Sequence, residues 1–180
     1  MPKLLKDRLP PIQQILAVYG IIALLIHGWT LMVFFWKLPS WEYFLTYGEM
    51  STAFAYSMAM NLLECFSIMF ALLLLSVILP QNWFRNVFSS RATVMVILFL
   101  AYMMYVALHI VSEEDSYPAN LVRLVPVVGL VILAVAFLIG RVVPVRKLVD
   151  GLADRATIFS YIFLPVGIVS FLVVIVRNLF

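Results

Sequence analysis

Apolar and polar positions alternate along this chain in blocks: five long apolar runs are separated by short pieces carrying charge or proline. The runs are Ile12 to Trp36, Thr52 to Leu79, Ala92 to Ser112, Val125 to Val143 and Ala156 to Val176. A hydrocarbon layer about 30 Å thick is crossed by about 20 helical residues rising about 1.5 Å each, and every run is close to or above that length. Lipid offers no hydrogen bonds to an open backbone, so an isolated spanning segment must be helical, and no short alternating pattern points to a barrel. The pattern predicts an all-α, polytopic transmembrane bundle of five helices, one domain covering residues 1–180.

Two of the intervening pieces have a helical polarity of their own. In 145–155, Val145, Leu148, Val149 and Leu152 share one face, while Arg146, Lys147, Asp150 and Asp154 share the other. In 82–91, Trp83, Phe84, Val87 and Phe88 cluster similarly. Both read as interfacial segments lying on a leaflet, their basic residues drawn to anionic headgroups.

Composition narrows the class. The chain is 65% apolar and 12% charged, whereas soluble domains are about half apolar and a quarter charged. A compact soluble fold of 180 residues has too little interior to hide that surface. A cytosolic enzyme and a disordered protein are thereby excluded, and a single cysteine, Cys65, excludes a disulfide scaffold. The first run is too long for the apolar stretch of a signal peptide and lacks a small-residue cleavage site, so it reads as a retained helix.

Charge sets the expected orientation. With the N-terminus in the cytoplasm, nine of the 12 Lys and Arg residues lie inside, among them Arg85, Arg91, Arg141, Arg146 and Lys147; Lys37, Arg123 and Arg177 lie outside. Five crossings then send the C-terminus out. This bias accounts for the net charge of +3, and no nucleic-acid-binding face is implied. The expected location is the cytoplasmic membrane, crossed several times. Trp36, Trp41, Tyr43, Phe44 and Tyr47 supply an aromatic belt at the outer edge.

Ionisable groups within apolar runs are costly, and this makes them candidate sites. Glu64 is the only acid inside a run, His27 sits in the first and His109 near the end of the third. Spacing of three or four residues puts Ala53, Ser57, Asn61, Glu64, Ile68 and Ala71 on one stripe of the second helix. It likewise groups Gly20, Ala23, His27 and Thr30 on the first, and Tyr102, Tyr105 and His109 on the third. Small and polar stripes of this kind favour close helix contact, so the first three helices are expected to pack through them. The ligand- or proton-binding candidates are therefore Glu64, His27, Asn61, His109 and Tyr102, with Glu64 facing either His27 or His109 according to its depth. Counted from the outer ends, His27 lies about 13 Å deep and His109 about 5 Å, so the two histidines do not flank one haem.

Motifs for other chemistry are missing from the sequence. Asp150, Gly151, Ala153, Asp154 and Arg155 resemble the Asp-Gly and Ala-Arg core of the CDP-alcohol phosphotransferases, but Lys147 stands where that family has another aspartate, and the following helix carries no acid. A two-metal cage cannot be built from what remains. Neither a catalytic residue nor a cofactor nor a metal site is implied. The expectation is a small accessory or structural subunit of a membrane complex, with membrane lipids and a larger membrane protein or a second copy as partners. A proton- or ion-translocating module using Glu64 with an intramembrane histidine, and an enzyme acting on a lipid-linked substrate, are the alternatives.

Overall fold

The computed structural model describes residues 9–80, 84–112 and 123–179, the side chains of 109–112 excepted. Among these residues there are five α-helices and no strand: α1 (Ile12–Trp41), α2 (Tyr47–Ile78), α3 (Phe88–Ser112), α4 (Val125–Ile139) and α5 (Val143–Leu179). A single 3-10 turn, Arg85–Val87, leads into α3. Three of the helices, α1, α2 and α5, together with the stretch Arg85–Leu108, are long and apolar enough to cross a membrane. Helix α4 is apolar but has only 15 residues, short of the about 20 that a full crossing takes.

Several helix ends differ from the sequence expectation, and each has a local cause. Helix α2 starts at Tyr47 rather than Thr52 because Thr46 and Glu49 form a capping box: the Thr46 amide donates to Glu49 Oε2 at 2.8 Å, and the Glu49 amide donates to Thr46 Oγ1 at 3.4 Å. Helix α1 runs through Pro39 to Trp41, its final turn helped by the Ser40 hydroxyl donating to the Lys37 carbonyl at 2.9 Å. Helix α4 stops at Ile139, not Val143, with Gly140 as its C-cap. Pro144 then falls in the first turn of α5, where its missing N–H costs nothing.

The largest departure concerns 145–155. This segment is not a separate piece; it is the first part of α5, a continuous helix of 37 residues and about 55 Å. Between it and the apolar run at Ala156 the sequence has no proline, and Gly151 alone does not stop a helix whose neighbours are good formers. In the 82–91 piece, Trp83 lies outside the described residues, Arg85–Val87 form the 3-10 turn and Phe88 already begins α3.

Helices α1 and α5 form the central pair, with α2 and α3 against both of them and α4 mainly against α3. The inward line of α5 is built from small residues, Ala153, Ala156, Ser160, Gly167 and Ser170, all buried. Small side chains let backbones approach, which replaces the hydrophobic drive that lipid removes. Gly20 of α1 lies directly on the Ala156 peptide, and Gly167 lies on the side chain of Leu62 from α2. Between these contacts Val18, Ile22, Phe88, Ala92 and Cys65 fill the core.

The ends of the bundle are tied by polar contacts. At one, the fully buried Ser90 hydroxyl of α3 donates to Asp150 Oδ1 of α5 at 2.6 Å, and Arg146 Nε lies 3.5 Å from Asp150 Oδ2. At the other, Asn178 Nδ2 donates to the Tyr56 hydroxyl at 2.9 Å, and Arg177 donates to Thr52 Oγ1. Asp150, which carries the phosphotransferase-like string, thus has a structural task.

Candidate functional site

The polar residues of the interior converge where α1, α2 and α5 meet. Antiparallel packing of α1 on α2 sets His27 opposite Cys65 and, about one turn further along, Thr30 opposite Asn61. His27 is fully buried. Its ring lies against Phe163 of α5, centroids 4.5 Å apart and planes tilted by 17°. Three helices therefore fix one imidazole.

Hydrogen bonding selects its tautomer. His27 Nδ1 is 3.1 Å from the carbonyl oxygen of Ala23, one turn back along α1. A carbonyl only accepts, so Nδ1 carries the proton and Nε2 carries the lone pair. Cys65 Sγ, 4.0 Å from Nδ1, faces the protonated nitrogen and acts as a weak acceptor. Nε2 is buried with no hydrogen-bond partner among the described residues. In the next layer the Thr30 hydroxyl donates to Asn61 Oδ1 at 3.1 Å, leaving Asn61 Nδ2 buried and unpaired.

Of the five residues singled out from the sequence, the structure brings His27 and Asn61 into one neighbourhood. Glu64 is elsewhere: it is exposed on the outer face of α2, among Met60, Leu63 and Phe66, which are also exposed. The inward line of α2 is Met58, Leu62, Cys65, Met69 and Leu72. A helix turns about 100° per residue, so Cys65 inside leaves Glu64 rotated outward. Among the described residues Glu64 has neither a hydrogen bond nor an ion pair. Tyr102 is half-buried on α3, and the His109 side chain lies outside the described residues. Helices α2 and α3 have no extended contact, because α1 and α5 stand between them. Helix α1 packs on α2 and on α3, but α2 does not pack on α3, and the expected stripes are not the contact lines: Glu64, Ala71 and Tyr105 are exposed, and Gly20 meets α5.

Sequence reasoning passed over Cys65 and Phe163 as neighbours of His27, and took Arg91 only as one of the inside cations. Cys65 was legible from its place one step past Glu64 on an otherwise apolar line. Phe163 was not, since the α1–α5 register follows from the Gly20 contact. Among the described residues no three His, Cys, Asp or Glu side chains come together to hold a metal ion. The neighbourhood offers one imidazole lone pair, one amide and one thiol, enough to bind a small donor but without an acid to relay protons.

The fold and surface are those of a helical bundle with membrane-length apolar helices. No known family model, curated protein or solved structure matches this chain.

Proposed function

We propose that the protein is an accessory or structural subunit of a larger complex in the cytoplasmic membrane, crossing it several times with its N-terminus in the cytoplasm and its C-terminus outside. The observation that carries this reading is Glu64. A carboxylate on the outward, apolar face of a membrane helix costs a few kcal/mol when it faces lipid alone, and such residues normally pair with another group. None of the chain's described residues reaches it, and this reading gives it a partner on another protein. The surrounding face, with Met60, Phe66 and Phe70 exposed, suits a helix of a larger membrane protein that presents a cation or hydrogen-bond donor at the depth of Glu64. No described loop is long enough to form a soluble domain, which fits a protein working through its bundle.

Photo-cross-linking in native membranes tests this. A cross-linker at Met60 or Ser67, on the Glu64 face, is expected to give one protein adduct of fixed mass, absent from Leu130 on α4 and lost in Glu64→Leu. The purified Glu64→Leu chain is expected to keep its thermal stability, since Glu64 holds nothing together within it. Lipid adducts alone at Met60 and Ser67 would sink the reading. A second reading, a proton- or ligand-binding module, is supported by the unpaired Nε2 of His27; it requires that His27→Gln abolish transport while leaving the Met60 adduct intact.

A further inference from the structure

Arg91, in the first turn of α3, is 5% exposed, and its Nε and Nη1 are buried without a hydrogen-bond partner among the described residues. Its guanidinium carbon lies 4.9 Å from the centre of the Phe137 ring of α4, and that of Arg141 lies 4.5 Å from the same ring. Two cations sharing one ring repel each other, and Arg146 adds to the repulsion. Asp150, an acid on the packed helix α5, is already engaged by Ser90 and Arg146. A buried guanidinium with free donors and like charges beside it finds no anion among the described residues.

The same guanidinium borders a cavity of about 330 Å³ whose other walls include Leu79, Phe84, Met95, Leu133 and Phe137. That volume is at the small end of ligand sites, about 300–1,000 Å³, and the remaining lining is apolar. Gly140 keeps the arrangement open: a Cβ there would fall 3.1 Å from both Cγ and Cζ of Arg91. The cavity lies at the end of the bundle where α2 and α4 finish and α3 and α5 begin, the end that carries Arg85, Arg141, Arg146 and Lys147. Basic pockets between helices at headgroup level are where anionic lipids are recognised.

We propose that this cavity binds one anionic phospholipid, its phosphate held by Arg91 and Arg141 and one acyl chain lying between Leu79, Met95 and Leu133. The charge selects the headgroup, and the apolar walls distinguish a lipid from a free phosphate ion. The arginine fork also matches phosphate oxygens in pairs, which an ammonium cannot do.

Native mass spectrometry of the detergent-purified full chain, titrated with phosphatidylglycerol, phosphatidylcholine or inorganic phosphate, tests the site. One retained phosphatidylglycerol per chain is expected, with phosphatidylcholine bound at least about tenfold more weakly and inorganic phosphate unable to displace it at millimolar concentration. Arg91→Gln is expected to weaken retention about tenfold or more, and Arg141→Gln to weaken it in the same direction. Because Arg91 is buried, Leu133→Trp supplies an independent variant: it fills the cavity with the guanidiniums intact and is expected to abolish retention. Arg177→Gln, at the other end, should leave it unchanged. Equal retention of the two lipids, displacement by inorganic phosphate, or full retention in Leu133→Trp would each overturn the proposal.

Discussion

Gly20 carries the closest approach in the bundle, and replacing it by alanine is the sharpest probe of the α1–α5 pairing. An added Cβ would lie 2.7 Å from the carbonyl carbon of Ala156 and 3.0 Å from the Thr157 amide nitrogen, and nearer still to the Ala156 oxygen. Carbon atoms in comfortable contact are about 3.5–4.0 Å apart, so the two helices must separate by about 1 Å. The obstructing atoms are backbone, and no side chain can rotate away. Separation also loosens the contacts of Val18, Ile22 and Ala153, all essentially inaccessible. Overpacking costs about 1–3 kcal/mol, and a backbone obstacle puts Gly20→Ala in the upper part of that range, about 2–3 kcal/mol or about 30- to 150-fold in the folding equilibrium. Gly28→Ala is the internal control: it sits two turns along the same helix with nothing within 4 Å of the added carbon, so alanine's better helix propensity makes it neutral or stabilising. Unfolding by titration of a denaturing detergent, followed by tryptophan fluorescence, reads both variants. Equal midpoints for Gly20→Ala and Gly28→Ala would refute the register and the central place given to α5.

Three further perturbations address the polar contacts. A double-mutant cycle on Thr30→Val and Asn61→Leu should give a coupling of about 0.6 kcal/mol, the average for hydrogen bonds between membrane helices, and no more than about 1.7 kcal/mol; zero coupling would mean that the 3.1 Å contact contributes nothing. Cys65, 0% exposed, should resist a membrane-permeant maleimide in the folded protein and react only on unfolding, and alkylation at equal rates in both states would contradict its burial. Ser90→Ala removes the donor to Asp150 and should cost about 1–2 kcal/mol, whereas Ser89→Ala, whose hydroxyl has no partner among the described residues, should cost less; the opposite order would argue against the α3–α5 tie.

The helices were legible because the apolar runs are long and their boundaries charged, and the α2 start could have been placed correctly from Thr46 and Glu49, a capping box plainly written in the sequence. The break at Gly140 was harder, since glycine is common within membrane helices. Helix neighbours were the least legible. The small-residue line of α5, from Ala153 to Ser170, is as regular as the stripe read on α2, yet periodicity alone does not say which of two such lines takes the centre. That choice is made by Gly20, where only one backbone fits. Glu64 shows the same limit from the other side: its run identified it as an unusual residue, but whether it faces in or out depends on a rotation of about 100° that its neighbours Leu62 and Cys65 decide.

Among the groups left without a partner by the described residues, three differ in charge and position, and that difference decides which of them needs a partner. His27 Nε2 and Asn61 Nδ2 are neutral and enclosed, so leaving them unpaired costs about 1–3 kcal/mol each, which three packed helices can bear. Arg91 is charged and enclosed at the bundle end, beside the cavity proposed to hold a phospholipid. Glu64 is an acid that faces sideways from an apolar surface of α2. Under the proposed readings a lipid headgroup answers the second case and a protein the third. If both charges are to be balanced in the membrane, a phospholipid and a protein must therefore act at different places, and loss of one should leave the other bound.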